Sequence, residues 1–226
     1  LLRDNLYEFY KYNRESGDPL YFTLTRLKKI TRQCLEALEY THKLNLIHCD
    51  LKPENILIKS YSRCEVKIID FGSSCYVSDH LCSYVQSRAY RAPEVILGLP
   101  YDTKIDIWSF GCVLYELFTG KVLFLNDSLT TLLARVNAVL GPFTPNILKG
   151  RYAQRYYSTN TVLFERRLSP SGRHEYSYLY PKETSLAHLL PDADESFIHF
   201  LSELLQFDPA KRPSASKALK HPWLNE

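Results

Sequence analysis

The run HCDLKPENILI, residues 48–58, places Asp50, Lys52 and Asn55 close together behind an apolar lead-in, and Asp70-Phe71-Gly72 follows further along the chain. Brought to one place, these segments would offer two carboxylates, an ammonium and an amide. Phosphoryl transfer needs that set. An aspartate orients the attacking hydroxyl and accepts its proton, and a lysine neutralises charge on the transferred group. A second aspartate and an asparagine hold Mg²⁺ against nucleotide phosphates. The transition state spreads its charge over three oxygens, so such a site works mainly by positioning and electrostatics. A solvated loop carboxylate is the bland alternative for Asp50. The cysteine at position 49 is the odd member of the run.

The elements that must position these residues are legible in the apolar spacing. Residues 23–46 carry Leu24, Leu27, Ile30, Cys34, Leu35 and Leu38 at helical intervals, with Thr23 or Thr25 as a cap after the turn-forming SGDP. The runs NILI and EVKIID predict a small hairpin flanking residues 59–64. Residues 104–119 are apolar nearly all round, which predicts a helix buried within the domain. Amphipathic helices are expected at 128–140 and 194–206, with a short one near 214–220. Residues 142–190, rich in Tyr, Arg, Ser and Pro, show no sustained period and read as an irregular surface insertion lacking a core of its own. The fold class expected is mainly α, with one small sheet near residues 56–70.

Composition narrows the function classes. The chain has 226 residues and 45% hydrophobic content, enough for a sizeable core. A net charge of +3 is too mild to argue for nucleic acid as the main partner. No apolar run approaches the roughly 20 residues of a membrane span. Six cysteines are scattered without CxxC or Cys/His clustering, which argues against structural zinc and reads as reduced thiols of an intracellular protein, cytoplasmic or nuclear. The chain contains no methionine and begins at Leu1, so a piece of a longer protein is expected.

Five motifs in order, HCDLKPENILI, DFG (70–72), APE (92–94), DIWSFG (106–111) and RPS (212–214), resemble the C-terminal lobe of eukaryotic protein kinases along the whole chain. The finer resemblance is to the dual-specificity tyrosine-regulated (DYRK) kinases of the CMGC group, carried by HCDLKPENIL, DFGSSC and YVQSRAYRAPEVILGLPYD. The run VLFLNDSLTTLLARV resembles plant or protist members more than animal ones. The resemblance implies a kinase C-terminal lobe with a hinge remnant at 1–5, the catalytic loop at 48–55, an activation segment at 70–94 and the group's insertion at about 142–190. It implies ATP and Mg²⁺ as cofactors and protein substrates with Ser or Thr acceptors, near proline or arginine.

Carried over position by position, Asp50 resembles the catalytic base, Lys52 the phosphate-contacting lysine, and Asn55 and Asp70 the Mg²⁺ ligands. Leu57 and Ile69 would floor the adenine pocket, plain core packing being the alternative. Leu1 and Leu2 would fall at the hinge, with Asn5 and Glu54 near the ribose. Architectural roles are implied for His48 as loop anchor, for Asp106 as acceptor of loop backbone hydrogen bonds with Trp108 packed beneath, and for a buried Glu94–Arg212 ion pair. Cys49 replaces the arginine that in most protein kinases binds an activation-loop phosphate, and a thiol cannot form such bidentate contacts. The resemblance moves the switch to autophosphorylated Tyr84, its phosphate held by Arg88 and Arg91. Substrate binding or surface charge is the alternative for those arginines. Animal members usually carry Tyr-x-Tyr where this chain has Cys82-Ser83-Tyr84. Cys49 and Cys75 flank both catalytic segments, as inert buried thiols or as a redox-sensitive pair.

No GxGxxG and no VAIK-type lysine precedes residue 23. The N-terminal lobe is therefore expected to lie outside this chain, and the chain alone is expected not to turn over. A non-catalytic scaffold or regulatory fragment, binding partner proteins through the helical lobe, is the competing expectation.

Overall fold

In the computed structural model the described residues are 4–17, 19–79, 84–159 and 161–225. The chain enters through helix α1 (Leu6–Glu15), with the Asn5 side chain accepting the Glu8 N–H as its cap, and continues into α2 (Leu24–Lys43), capped by Thr23. Strand β1 (Leu46–Ile47) leads into the 48–55 loop, which closes in a one-turn 3₁₀ helix, Pro53–Asn55. Strands β2 (Ile56–Ser60) and β3 (Glu65–Ile68) form the expected hairpin, and β4 (Cys75–Tyr76) returns to pair with β1. Helices α3 (Pro93–Leu97), α4 (Lys104–Thr119) and α5 (Leu129–Leu140) follow. Beyond them lie β5 (Leu163–Leu168), β6 (His174–Leu179), α6 (Leu186–Leu189), α7 (Glu195–Leu204), α8 (Ala215–Ala218) and α9 (Pro222–Asn225).

The mainly helical architecture is as expected, and α4 is its axis. Every residue from Ile105 to Leu117 is buried, which explains why this helix shows no polar face. Gly111 lets α7 close on it, since a Cβ there would stand 2.9 Å from the Leu205 side chain. The α2 stripe of Leu27, Ile30, Cys34, Leu35 and Leu38 is sealed against solvent. Each large aliphatic member contributes about 1.5–3 kcal/mol by burial.

Two expectations are corrected, and one element is new. Helix α1 has no counterpart in the sequence reading. It is short, with Phe9 and Tyr10 half-buried against the core and only Leu6 and Asn13 buried. Among the described residues the sheet content is three separate two-stranded ladders rather than one. The 142–190 segment is not irregular throughout, because β5 and β6 pair over six residues from Leu163↔Leu179 to Leu168↔His174. That hairpin escaped notice because only its base, Leu163, is buried, so it shows no apolar/polar alternation.

Candidate active site

The 48–55 loop is held from below by Asp106 in the first turn of α4. Its carboxylate, fully buried, accepts the backbone N–H of His48 at 2.8 Å and of Cys49 at 3.1 Å, and the His42 Nε2 donates to it at 2.9 Å. An ionised carboxylate that accepts backbone N–H groups is a strong, directional anchor. His48 ties the loop to the DFG segment. Its Nδ1 accepts the Asp50 N–H at 3.2 Å, which puts the ring proton on Nε2, donated to the Ile69 carbonyl at 2.9 Å. Phe71 packs edge-on against the same ring.

Asp50 sits at the centre of a donor cage. Oδ1 accepts from the Ser87 hydroxyl at 2.7 Å and the Ser87 N–H at 3.1 Å, while Oδ2 accepts from Lys52 Nζ at 2.8 Å and, more weakly, Asn55 Nδ2 at 3.3 Å. Burial alone would raise this carboxyl's pKa, but the Lys52 ammonium and the Ser87 donors outweigh it and hold the group below its ordinary value. The carboxylate is thus ionised and fixed in direction. Lys52 also reaches the Ser87 hydroxyl at 3.2 Å, leaving donor capacity for an incoming anion.

Asn55 spends its amide N–H groups on Asp50, 2.8 Å to the backbone carbonyl, which orients its carbonyl oxygen as an acceptor. The Ile69 N–H donates to the Asn55 carbonyl at 2.9 Å, so Asp70 begins immediately beside Asn55. Asp70 is exposed, and its Oδ1 accepts the Gly72 N–H at 3.2 Å. Two hard oxygen donors of this kind suit Mg²⁺, which keeps several of its ligands as water and phosphate oxygen. Leu57 and Ile69 are half-buried on and beside the β2–β3 hairpin, and a backbone bridge joins Asn5 to Leu57. The Asn5 side-chain oxygen is committed to capping α1. Glu54 turns inward: its Oε2 is buried with no hydrogen-bond partner among the described residues, and its charge acts on Glu116 and Tyr90. Leu1, Leu2, Cys82 and Ser83 lie outside the described residues.

The activation segment reaches the loop through two residues that the sequence reading passed over. The Gln86 N–H donates to the Cys49 carbonyl at 2.9 Å. The buried Gln86 amide bridges the Ile105 carbonyl, the Ser109 hydroxyl and the Ala92 N–H at 2.7–2.9 Å. Ser87 supplies half of the Asp50 cage. The signal available was their place in YVQSRAYR, two small polar residues between candidate switch and clamp, but their partners are distant in sequence.

Tyr84 is 70% exposed, with the Arg91 guanidinium 4.2 Å from its ring centroid. Arg91, and more weakly Arg88, lowers the pKa of its phenol. Arg91 itself is buried and donates to the carbonyls of Val85 and Gln86, while Arg88 reaches the Asp127 carbonyl. Glu94 and Arg212 are brought together, fully buried, through bonds of 2.6 and 3.0 Å. Trp108 stacks on Phe124 and lies under the Arg212 guanidinium. The Cys49 and Cys75 sulfurs are 3.5 Å apart, and burial pushes the Cys49 thiol far above its ordinary range.

The protein kinase domain family model matches residues 5–224. The chain is 41% identical over 230 residues to Dual specificity tyrosine-phosphorylation-regulated kinase 2 of Drosophila melanogaster, covering 99% of this chain and 30% of the relative. It is 40% identical over 239 residues to Dual specificity tyrosine-phosphorylation-regulated kinase 3 of Homo sapiens, covering all of this chain and 40% of the relative. Serine/threonine-protein kinase ppk5 of Schizosaccharomyces pombe is 39% identical over 99% of this chain and 26% of the relative. The chain thus spans well under half of the length of these relatives, and the near-equal identities to insect, human and yeast proteins separate no lineage. The chain belongs to the protein kinase domain family.

Proposed function

We propose that this member of the protein kinase domain family forms the C-terminal lobe of a dual-specificity kinase of DYRK type. It would transfer the γ-phosphoryl group of ATP to Ser and Thr of proteins and to its own Tyr84. The observation that carries this reading is the Asp50 cage, four donor contacts fixing one carboxylate next to Lys52 and Asn55. A scaffold that only bound partners would gain nothing from a half-exposed carboxylate oriented in this way.

In this reading Asp50 aligns the acceptor hydroxyl and takes up its proton. Its lowered pKa makes it a weak base. That suffices for a loose transition state, in which the hydroxyl needs orientation more than early deprotonation. Lys52 offers its remaining donors to the transferred group. Asn55 and Asp70 would hold Mg²⁺, which supplies charge neutralisation between nucleotide phosphates. Leu57 and Ile69 would floor the adenine, with Leu2 at the hinge and Asn5 and Glu54 on the ribose side. His48, Asp106 and the Glu94–Arg212 pair are assigned to architecture.

Phosphorylated Tyr84 would draw Arg88 and Arg91 from their carbonyl contacts, the role that Cys49 cannot fill. A preference for acceptors near proline or arginine belongs to the same proposal, as do an intracellular setting and a plant or protist source. The sequence contains no glycine-rich phosphate loop, so the 226 residues alone are expected to show no turnover.

The test is Mg-ATP phosphorylation of Ser/Thr peptides by the full-length parent, beside its Asp50→Asn variant. Activity lost in the variant supports the proposal. A parent with no activity, or a variant with full activity, favours the scaffold reading.

A further inference from the structure

A groove of about 1190 Å³ opens on the face of the molecule away from the catalytic loop. Its floor is made by Phe22 before α2, Tyr115 and Phe118 on the last turns of α4, and Leu190 beyond α6, all buried or half-buried. Asp106, which anchors the catalytic loop, lies in the first turn of α4. Phe118 is twelve residues further along that helix, about 18 Å by helical rise. None of the groove's lining residues belongs to the phosphoryl-transfer set.

Two features of the groove call for an occupant. Leu20 and Leu125, on its lining, are 59% and 76% exposed, large apolar side chains left in water. Arg14, Lys121, Arg135 and His188 also line it, against Asp192 as the one carboxylate among the described lining residues. An adjoining depression of about 720 Å³ shares Arg135 and His188 and adds Lys182 and Glu183. Among the described residues, no carboxylate lies within 4.0 Å of Arg14, Lys121, Arg135 or Lys182. Arg14 and Arg135 make only long contacts, 3.5 Å to the Phe118 carbonyl and 3.4 Å to the Leu123 carbonyl. Along these two contiguous depressions the cations thus stand without a close carboxylate among the described residues.

We propose that this groove docks an acidic peptide segment of a partner protein. Two or three Leu or Phe side chains of the segment enter between Leu20 and Leu125, and its carboxylates meet Lys121, Arg135 and Lys182. The charge layout selects a peptide over a lipid. A fatty acid carries one carboxylate and would need one cation at the mouth of a closed tunnel, whereas these cations are spread along an open trough. The volume also exceeds the roughly 300–1000 Å³ typical of small-molecule pockets. Such a site would tether a partner and raise its effective concentration, without touching the chemistry.

The experiment measures fluorescence anisotropy of a set of labelled peptides, each with two or three Leu or Phe residues at varied spacing among Glu and Asp. The set is titrated with the protein at low salt and at about 0.3 M salt. At least one member is expected to bind with a Kd well below about 1 mM and to weaken as salt rises. Lys121→Glu with Arg135→Glu should weaken it about tenfold or more, as should Leu125→Glu. All three positions are exposed, and melting curves check folding. If the reversals unfold the protein, Lys121→Gln with Arg135→Gln gives the same reading with a smaller loss. The proposal is overturned if no peptide binds, if binding ignores these substitutions, or if control peptides with Lys in place of each Glu and Asp bind equally. It is overturned too if dodecanoate displaces the peptides at lower concentration, or if light scattering shows a dimer that the Leu125→Glu variant dissolves.

Discussion

Replacing Arg212 by leucine tests the framework on which the site rests. The guanidinium is fully buried, pairs with both Glu94 oxygens at 2.6 and 3.0 Å, and donates to the carbonyls of Gln206 and Lys104 at 2.8 and 2.9 Å. Removing it leaves the Glu94 carboxylate buried without its counter-charge, and two carbonyls lose a donor. Breaking one side of such a pair costs about 3–5 kcal/mol. At 2–4 °C per kcal/mol for a domain of this size, the melting temperature should fall by about 6–20 °C. Glu94→Gln keeps the packing and leaves Arg212 its two carbonyls, so it should fall at the low end of that range. The informative variant is the double substitution Glu94→Met with Arg212→Leu. It leaves no buried charge and should be less damaging than Arg212→Leu alone. Urea unfolding of the parent, Arg212→Leu, Glu94→Met and the double variant closes the cycle. Additive losses in the double variant would refute the claim that an orphaned charge, rather than lost packing, sets the cost.

Asp50→Asn in an active parent should lower kcat by about 10²–10⁴-fold, read in a peptide phosphorylation assay. The native pKa of Asp50 is lowered, so its contribution to stability is present above its unfolded value and lost as pH falls through the native one. The variant should therefore flatten the acid limb of the stability profile, measured by urea unfolding, and an unchanged limb would count against the cage. Glu116 runs the other way: burial raises its pKa, only partly offset by the Tyr90 hydroxyl donating at 2.6 Å. The stability tied to its protonated form is complete below the unfolded value and lost as pH rises through the native one. Glu116→Gln should thus gain on the parent between acid and neutral pH, and a constant difference would refute this. Cys49 is sealed and its thiol pushed far up, so iodoacetamide at neutral pH should label Cys75 well before Cys49. Mild peroxide should leave both reduced, despite a 3.5 Å separation, and loss of two hydrogens from the linked peptides by mass spectrometry would overturn that.

Helices announced by a buried stripe could be placed from the sequence nearly to the residue. The 104–119 reading coincides with α4, and the 128–140 reading gains only Ser128 as its cap. Helix α1 was passed over although Leu6, Phe9 and Tyr10 recur at helical spacing, while the β5–β6 hairpin could not be seen because it is buried only at its base. The candidate site divides in the same way. Asp50, Lys52, Asn55 and His48 were legible because local spacing places them on one loop. Ser87, Gln86, Ser109 and the turn of Glu54 toward Glu116 were not, since their contacts join segments tens of residues apart. Composition says nothing of which segments will meet.

Cys49 shows how far those distant contacts shape the local chain. Its φ is +66°, and Asp70 and Gln86 share the left-handed region at +63° and +68°. Each is a non-glycine residue in a conformation costing about 1–2 kcal/mol, and all three belong to segments that meet around Asp50. Strain of this kind persists only where surrounding bonds over-determine it. Here the bonds are on the page: Asp106 holds the Cys49 N–H, Gln86 holds the Cys49 carbonyl, and Ile105 and Ser109 hold the Gln86 amide. All of these anchors except Gln86 sit on α4, so the polar residues of that apolar helix serve to bend two other segments into place. A cysteine suits position 49 on these grounds as well. It is small enough to be sealed, it carries no charge to desolvate, and it lacks the β-branch that would worsen a left-handed backbone. The residue that, in the proposed reading, stands in place of a phosphate-binding arginine is also one that the buried turn can hold.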